Sequence, residues 1–98
     1  MRCGDLELDR HRRLVSRGSG KVSLTSKEFA LLELLLMRAP DSVTRSEIIE
    51  HVWDSHFDSE TNLVDVYINR LRQKIDQGHS TKLVHTLRGV GYRLSAEQ

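Results

Sequence analysis

Short alternations of apolar and polar side chains dominate the first 24 residues. Leu6 and Leu8 alternate with acidic neighbours, which is the period-two pattern of a strand with one buried face. Further apolar patches follow at residues 14–15 and 22–24, and the Gly18-Ser19-Gly20 run between them is typical of a turn. The pattern predicts a small antiparallel sheet with one solvated face.

Two segments with helical periodicity come next, and each is preceded by a capping motif. Thr25 and Glu28 have the spacing of a capping box, and the helix after them is apolar on nearly every side. We therefore expect a central, buried helix that ends at residues 39–41. Thr44 and Glu47 form a second capping box, which opens a shorter helix.

A third helix and a hairpin complete the predicted order of elements. Residues 54–60 are mostly polar and are predicted to form a loop. A helix is predicted from about residue 61 to residue 76, followed by a β-hairpin over residues 83–94 with its turn at 88–91. The order of sheet, three helices and hairpin predicts a single α+β domain over residues 1–98.

The predicted third helix has an apolar face and an unusual polar face. On a helical wheel the apolar line consists of Val64, Ile68, Leu71 and Ile75. The opposite line consists of Asn62, Val66, Asn69, Arg70 and Gln73. Asn and Gln pair bidentately with adenine, Arg pairs with guanine, and Val can contact the methyl group of thymine. The polar face therefore favours a helix that reads bases in the major groove of DNA.

Three further basic residues extend this interpretation. Arg72 and Lys74 flank the polar face, where we expect them to reach phosphates on either side of a groove. Arg88 lies at the predicted hairpin turn, from which it can enter a narrow minor groove. Two alternatives stay open at this point: a polar helix face can be merely solvated, and the glycines beside Arg88 can serve only to permit positive φ in a turn.

The distribution of charge agrees with a DNA-facing carboxyl-terminal third. The net charge of the 98 residues is only +1. Residues 62–93 hold six Lys or Arg against two Asp, a balance of +4, whereas residues 1–58 hold nine basic and ten acidic residues, a balance of −1. A basic surface is what phosphate contacts require, although an excess this small is also common on a solvated face.

Composition argues against several other classes of protein. No apolar run reaches the ~20 residues of a membrane span, and the amino end has no signal-peptide pattern, so we expect a cytoplasmic protein without membrane contact. The lone Cys3 excludes an internal disulfide. The five histidines form no HExxH motif and pair with no cysteine, so we expect no metal, no cofactor and no enzymatic activity.

Several motifs resemble the OmpR/PhoB family of response regulators. They are Thr86-Leu87-Arg88-Gly89-Val90-Gly91-Tyr92 above all, with residues 24–32, 51–54, 61–66 and 70–72. The resemblance covers essentially the whole chain, and residues 53–62 look most like the branch that includes heavy-metal-responsive regulators. It implies a winged helix-turn-helix with an amino-terminal antiparallel sheet, three helices and a carboxyl-terminal β-hairpin wing.

The resemblance also implies a set of DNA contacts. The third helix would lie in the major groove and Arg88 in the minor groove, and Val66 and Arg70 match the family's base-reading positions. The positions that match phosphate-contacting sites are Arg45, Trp53, Asn62, Tyr67, Asn69, Arg72, Thr86 and Tyr92. Asn62 and Asn69 stand where Arg is common in the family. Two missing charges should lower non-specific affinity and its salt dependence, or change which bases are read.

The partners implied by the resemblance lie mostly outside this chain. The family carries a phosphorylatable receiver domain controlled by a sensor histidine kinase, and its members bind direct repeats in double-stranded DNA as head-to-tail dimers. Loop 54–60 corresponds to the family's contact with RNA polymerase. Because the strand pattern begins by about Gly4, we expect an excised output domain, the alternative being a stand-alone regulator. The family dimerises through its receiver domain, so the resemblance implies that the isolated domain is a monomer off DNA.

A winged helix that binds protein or RNA is the main alternative function, because a fold alone does not determine what is bound. A protein-binding version should expose a larger apolar patch on the third helix. The polar face of that helix and Arg88 therefore distinguish the hypotheses.

Overall fold

Residues 1–53 and 62–97 are described by a computed structural model, in which helices connect an amino-terminal sheet to a carboxyl-terminal hairpin. The strands of the sheet are β1 (Arg2–Cys3), β2 (Leu6–Asp9), β3 (Leu14–Arg17) and β4 (Gly20–Val22). The later elements are α1 (Ser26–Arg38), α2 (Arg45–Val52), α3 (Leu63–Ile75), β5 (Val84–Leu87) and β6 (Gly91–Leu94). The predicted α+β class and order of elements are confirmed.

The amino-terminal sheet is antiparallel and has the order β1-β2-β3-β4. Leu6 and Leu8 are buried while their neighbours in β2 are exposed, as the alternation predicts. Strand β1 was not predicted as a separate element, although its start at Arg2 agrees with a strand pattern that begins by about Gly4. A two-residue strand is too short to show periodicity, and β1 forms through its pairing with β2.

Helix α1 is the buried centre of the fold, as its sequence predicts. Thr25 Oγ1 accepts a hydrogen bond from the Glu28 N–H at 3.3 Å, and a Glu28 carboxylate oxygen accepts one from the Thr25 N–H at 2.8 Å, so the predicted capping box is present. The buried apolar side chains of α1 are Phe29, Leu31, Leu32, Leu34, Leu35 and Leu36. Each contributes roughly 1.5–3 kcal/mol relative to an exposed position. Within residues 1–53 and 62–97, no helix has the length and apolar character needed to cross a membrane.

Helices α2 and α3 begin in different ways. The predicted capping box at α2 is present, with Thr44 Oγ1 3.1 Å from the Glu47 nitrogen and a Glu47 carboxylate oxygen 3.0 Å from the Thr44 nitrogen. The N-cap residue of α3 is Asn62, whose side chain makes no capping hydrogen bond. The helix is slightly shorter than the predicted range of about 61–76, because it begins after Asn62 and Asp76 is its C-cap. The predicted loop 54–60 lies outside the described residues.

Strands β5 and β6 with their connecting turn form the wing, which is attached to the start of α2. The Val43 N–H donates to the Tyr92 carbonyl oxygen at 2.7 Å, and the Tyr92 N–H donates to the Val43 carbonyl oxygen at 2.9 Å. This close approach requires glycine at position 91, because a Cβ there would lie 2.0 Å from the Val43 oxygen. The wing is therefore held next to α2 by backbone pairing.

We expect the domain to become less stable to unfolding in acid, because both capping boxes contain a glutamate with a lowered pKa. Hydrogen bonds from Arg38 and from the Thr44 backbone lower the pKa of Glu47 to about 2. Burial raises the pKa of Glu28, but the hydrogen bond and charge of Lys74, with the Thr25 N–H, outweigh it and leave that pKa below its ordinary value. Because both folded-state pKa values lie below the unfolded ones, these contributions are complete above about pH 5 and disappear as the pH falls toward 2.

Thermal unfolding followed by circular dichroism between pH 7 and pH 2 measures this loss. Glu47→Gln is the matched control, because an amide keeps the size and an acceptor oxygen but does not titrate. We expect wild type to be more stable than the variant at pH 7 and the difference to shrink as the pH falls. A difference that is constant with pH would contradict the role of the Glu47 charge.

Candidate nucleic-acid interface

Helix α3 presents its predicted polar face to solvent. The four predicted core residues are at most 1% exposed: Val64, Ile68, Leu71 and Ile75. The polar side chains opposite them are all exposed: Asn62, Asn69, Arg70 and Gln73. Because the buried face fixes α3 on the core, the amide and guanidinium groups on the other face have a defined spacing of the kind that base recognition requires.

Val66 is half-buried, whereas the sequence predicts an exposed side chain in the middle of the polar face. A helical wheel places a residue only relative to its own helix and takes no account of neighbouring segments. Part of the Val66 surface stays accessible beside Asn62 and Arg70.

Arg72 and Lys74 both bind other parts of the protein. The Arg72 guanidinium donates to the Val84 carbonyl oxygen at 3.4 Å and to the Thr86 hydroxyl in β5. The Lys74 ammonium lies 2.6 Å from a carboxylate oxygen of the buried Glu28. These bonds connect α3 to the wing on one side and to the start of α1 on the other.

An acidic side chain joins α2, α3 and the wing. Asp65, in the first turn of α3, accepts a hydrogen bond from an Arg45 guanidinium nitrogen at 2.6 Å and another from the Tyr92 hydroxyl. Burial of the Tyr92 hydroxyl, together with the hydrogen bond to Asp65 and the charge of Asp65, raises the pKa of Tyr92. Asp65 was not among the functional residues predicted from the sequence. The available signal was an acidic side chain in a segment whose neighbours Asn62, Val66, Tyr67 and Asn69 were all predicted to contact DNA.

A cleft of about 410 Å³ separates the start of α2 from the wing. It is lined by residues 44–46 and 86–92, which include the predicted contacts Arg45, Thr86, Arg88 and Tyr92. Arg88 is exposed in the turn of the wing, where the Val90 N–H donates to the Leu87 carbonyl oxygen at 3.0 Å. The turn therefore holds the backbone of Arg88 while its side chain projects.

Two aromatic rings that contact each other lie beside Arg70 of α3. Trp53, the C-cap of α2, meets Tyr67 edge to face, with ring centroids 4.9 Å apart and an interplanar angle of 81°. The Arg70 guanidinium carbon lies 5.0 Å from the centroid of the Tyr67 ring. The structure thus brings three predicted DNA-contacting residues, Trp53, Tyr67 and Arg70, into one group of contacting side chains.

Comparison with known sequences gives the family. Residues 19–94 match the family described as transcriptional regulatory protein, C terminal. The transcriptional activator protein IrlR of Burkholderia pseudomallei is 51% identical over 94 residues, which cover 96% of this chain and 41% of IrlR. The transcriptional regulatory protein CusR of Escherichia coli is 49% identical over 90 residues, which cover 92% of this chain and 40% of CusR. The chain spans about two fifths of the length of these relatives.

Solved structures show the same fold. The DNA-binding domain of Klebsiella pneumoniae RstA, determined in complex with the RstA box, matches with a TM-score of 0.86 and 27% identity over 98% of this chain and 96% of that one. The DNA-binding domain of CpxR from E. coli matches with a TM-score of 0.84 and 30% identity, again over 98% of this chain and 96% of that one.

The three helices, the amino-terminal sheet and the wing beside an exposed α3 define the winged helix-turn-helix class of transcription regulators. The chain belongs to the OmpR/PhoB family of response regulators, whose carboxyl-terminal DNA-binding domain it matches. The resemblance found in the sequence and the predicted winged fold are confirmed.

Proposed function

We propose that this domain reads DNA sequence with α3 in the major groove and with Arg88 of the wing in the minor groove. The observation that carries the proposal is that α3, which carries the exposed polar face, is bonded to the wing through Arg72–Thr86 and Asp65–Tyr92. A helix and a wing held in one body can enter adjacent grooves together. RstA, a relative in fold, is described in complex with its DNA box.

Base recognition follows from the exposed side chains of α3 and the wing. Arg70 is the group suited to the O6 and N7 atoms of guanine, and Asn62, Asn69 and Gln73 are suited to adenine. Val66, with part of its surface accessible, would contact a thymine methyl group. Arg88 carries a positive charge to the minor groove, whose potential is most negative where it is narrow.

The predicted phosphate contacts also have partners within the protein. Arg45 pairs with Asp65 and Thr86 accepts a hydrogen bond from Arg72, and we propose that the cleft they line between α2 and the wing receives a backbone phosphate. The other predicted phosphate contacts are Trp53, Tyr67, Arg72, Lys74 and Tyr92, which bind side chains of the helices and the wing. We expect these five to contribute mainly by holding α3 and the wing in place, and they stay predictions as phosphate contacts.

A protein-binding role has less support in the structure. Among the described residues, the large apolar side chains that are exposed are Met1, Leu14, Met37 and Val90. None of them lies on α3. The exposed face of α3 therefore has the chemistry of a nucleic-acid reader and lacks the apolar patch of a protein-docking helix.

The function of the whole protein extends beyond this chain. Since IrlR and CusR are more than twice as long, we infer that a receiver domain controlled by a sensor kinase accompanies this domain. We also infer tandem binding to direct repeats by a domain that is monomeric off DNA, a contact of residues 54–60 with RNA polymerase, and a cytoplasmic location. Size-exclusion chromatography with and without a two-repeat duplex tests the tandem binding.

Arg70→Ala is expected to lose discrimination at one base pair by about 1–3 kcal/mol while retaining most non-specific affinity. Fluorescence anisotropy with a duplex selected from random DNA and with a scrambled duplex measures both quantities. Arg70→Lys is the matched control, because it keeps the charge and loses the bidentate geometry. Equal losses on both duplexes for Arg70→Ala would mean that Arg70 contacts phosphate and reads no base.

A further inference from the structure

We propose that Tyr67 is a positioning residue for sequence recognition, whose ring holds the Arg70 guanidinium in place for base reading. The inference rests on the proposed function and deepens it. It adds to the phosphate contact that the resemblance implies for Tyr67 a separate role for the face of its ring.

The Arg70 guanidinium lies against the Tyr67 ring. Arg70 follows Tyr67 by one helical turn, and its guanidinium carbon is 5.0 Å from the ring centroid. That separation is within the ~6 Å at which a cation is attracted to the face of an aromatic ring. An exposed arginine otherwise samples many rotamers, and ordering them on DNA would reduce affinity for the correct sequence.

The Tyr67 ring is itself held by its neighbours. The Trp53 ring packs against it edge to face at 4.9 Å, and Trp53 is fixed as the C-cap of α2 by its N–H, which donates to the Ile49 carbonyl oxygen at 2.9 Å. On α1, Lys27 Nζ lies 6.0 Å from the centroid of the Trp53 ring and donates to the Val52 carbonyl oxygen at 3.0 Å. A relay of packed side chains therefore runs from α1 through the end of α2 to the guanidinium on α3.

Two substitutions separate the ring of Tyr67 from its hydroxyl. Tyr67→Phe removes only the hydroxyl and keeps the face that Arg70 contacts, whereas Tyr67→Leu removes the aromatic face and keeps apolar bulk beside Trp53. A phosphate contact by the hydroxyl would be lost in both variants, and its loss would weaken binding of the two duplexes alike. A positioning role of the ring would be lost only in the leucine variant.

The experiment measures the ratio of the dissociation constants for a scrambled and a selected duplex by fluorescence anisotropy. We expect Tyr67→Leu to lower this ratio about three- to tenfold. A change of that size corresponds to the free energy of a cation–π contact that is exposed to solvent or partly desolvated. We expect Tyr67→Phe to leave the ratio within about twofold of wild type. In an Arg70→Ala background, Tyr67→Leu should have no further effect on the ratio, since the positioned group is gone.

Two results would overturn the proposal. One is a selectivity ratio for Tyr67→Leu that equals the ratio for Tyr67→Phe, whether both are lowered or both are unchanged, and the other is a loss in Tyr67→Leu of the same size with and without Arg70. If Tyr67→Leu fails to fold, proton NMR of the free wild-type domain tests the same contact. The proposal requires ring-current upfield shifts of the Arg70 δ-methylene protons, and random-coil shifts there would contradict it.

Failure of the proposed function would look different. In that case wild type itself would bind the selected and scrambled duplexes equally, whatever the NMR shifts of Arg70. If wild type discriminates and the Tyr67 variants do not behave as expected, only the positioning role of Tyr67 is wrong.

Discussion

Gly91→Ala is expected to destabilise the domain by about 3 kcal/mol, one of the largest effects of any single methyl group in this chain. The added Cβ would lie 2.0 Å from the Val43 carbonyl oxygen and 2.9 Å from the Thr44 Cα, and φ at Gly91 is +152°. Neither backbone can withdraw freely, because Val43 and Tyr92 exchange two hydrogen bonds at 2.7 and 2.9 Å. The substitution therefore separates the wing from the start of α2.

Urea unfolding of Gly91→Ala beside Gly89→Ala measures the effect. Gly89 is two residues away and also has a positive φ, +74°, but a Cβ there would meet nothing within 4 Å. We expect Gly89→Ala to lower the free energy of unfolding by only about 1 kcal/mol, which is the cost of placing an alanine in the left-handed region of φ. Similar losses in the two variants would mean that backbone conformation, and not contact with Val43, is what requires glycine at position 91.

Asp76→Ala is expected to cost about 3–5 kcal/mol, the typical result of removing one partner from a buried ion pair. Asp76 and Arg17 are each 4% exposed, and an Asp76 carboxylate oxygen lies 3.1 Å from an Arg17 guanidinium nitrogen. The Asp76 carboxylate also accepts the N–H groups of Leu83 and Val84, at 2.9 and 3.1 Å. Its loss would leave the buried Arg17 with only the exposed Asp5 as an ionic partner and free the chain that leads from α3 into the wing.

Asp5→Asn is the matched control for the Asp76 prediction. Asp5 also pairs with Arg17, at 2.5 Å, but its side chain is 52% exposed. The hydrogen bond from Arg17 holds the pKa of Asp5 below its usual value, yet solvent screening keeps the stabilising effect of the pair small. Urea denaturation should place Asp5→Asn close to wild type and far from Asp76→Ala. Comparable stability of the two variants would show that the Arg17–Asp76 pair is not a principal support of the fold.

Features set by neighbouring residues were predictable from the sequence. The capping boxes at Thr25 and Thr44 depend on residues three apart, and the buried face of α3 depends on helical periodicity. The exposed amides and guanidinium of α3 follow from the same periodicity. These rules operate within one or two helical turns, so a single sequence contains what they need.

Pairings between distant residues were not predictable. The Lys74 ammonium pairs with Glu28, which lies 46 positions earlier, and no local pattern indicates this pair; the phosphate contact expected of Lys74 stays a prediction. Arg17 is 59 positions from Asp76, and although the alternation in β3 places Arg17 on the same face as the buried Val15, no local pattern identifies the carboxylate with which it pairs. Basic side chains have the same appearance in a sequence whether they meet a phosphate or a carboxylate, and only the packing of elements decides between them.

The claim that α3 and the wing read DNA sequence is tested most directly by selecting bound sites from a pool of random duplexes with wild type and with Arg70→Ala. We predict that wild type enriches a motif containing a guanine that the variant no longer selects, while the other positions of the motif persist. Recovery of no motif by wild type, or of the same motif by both proteins, would contradict the claim.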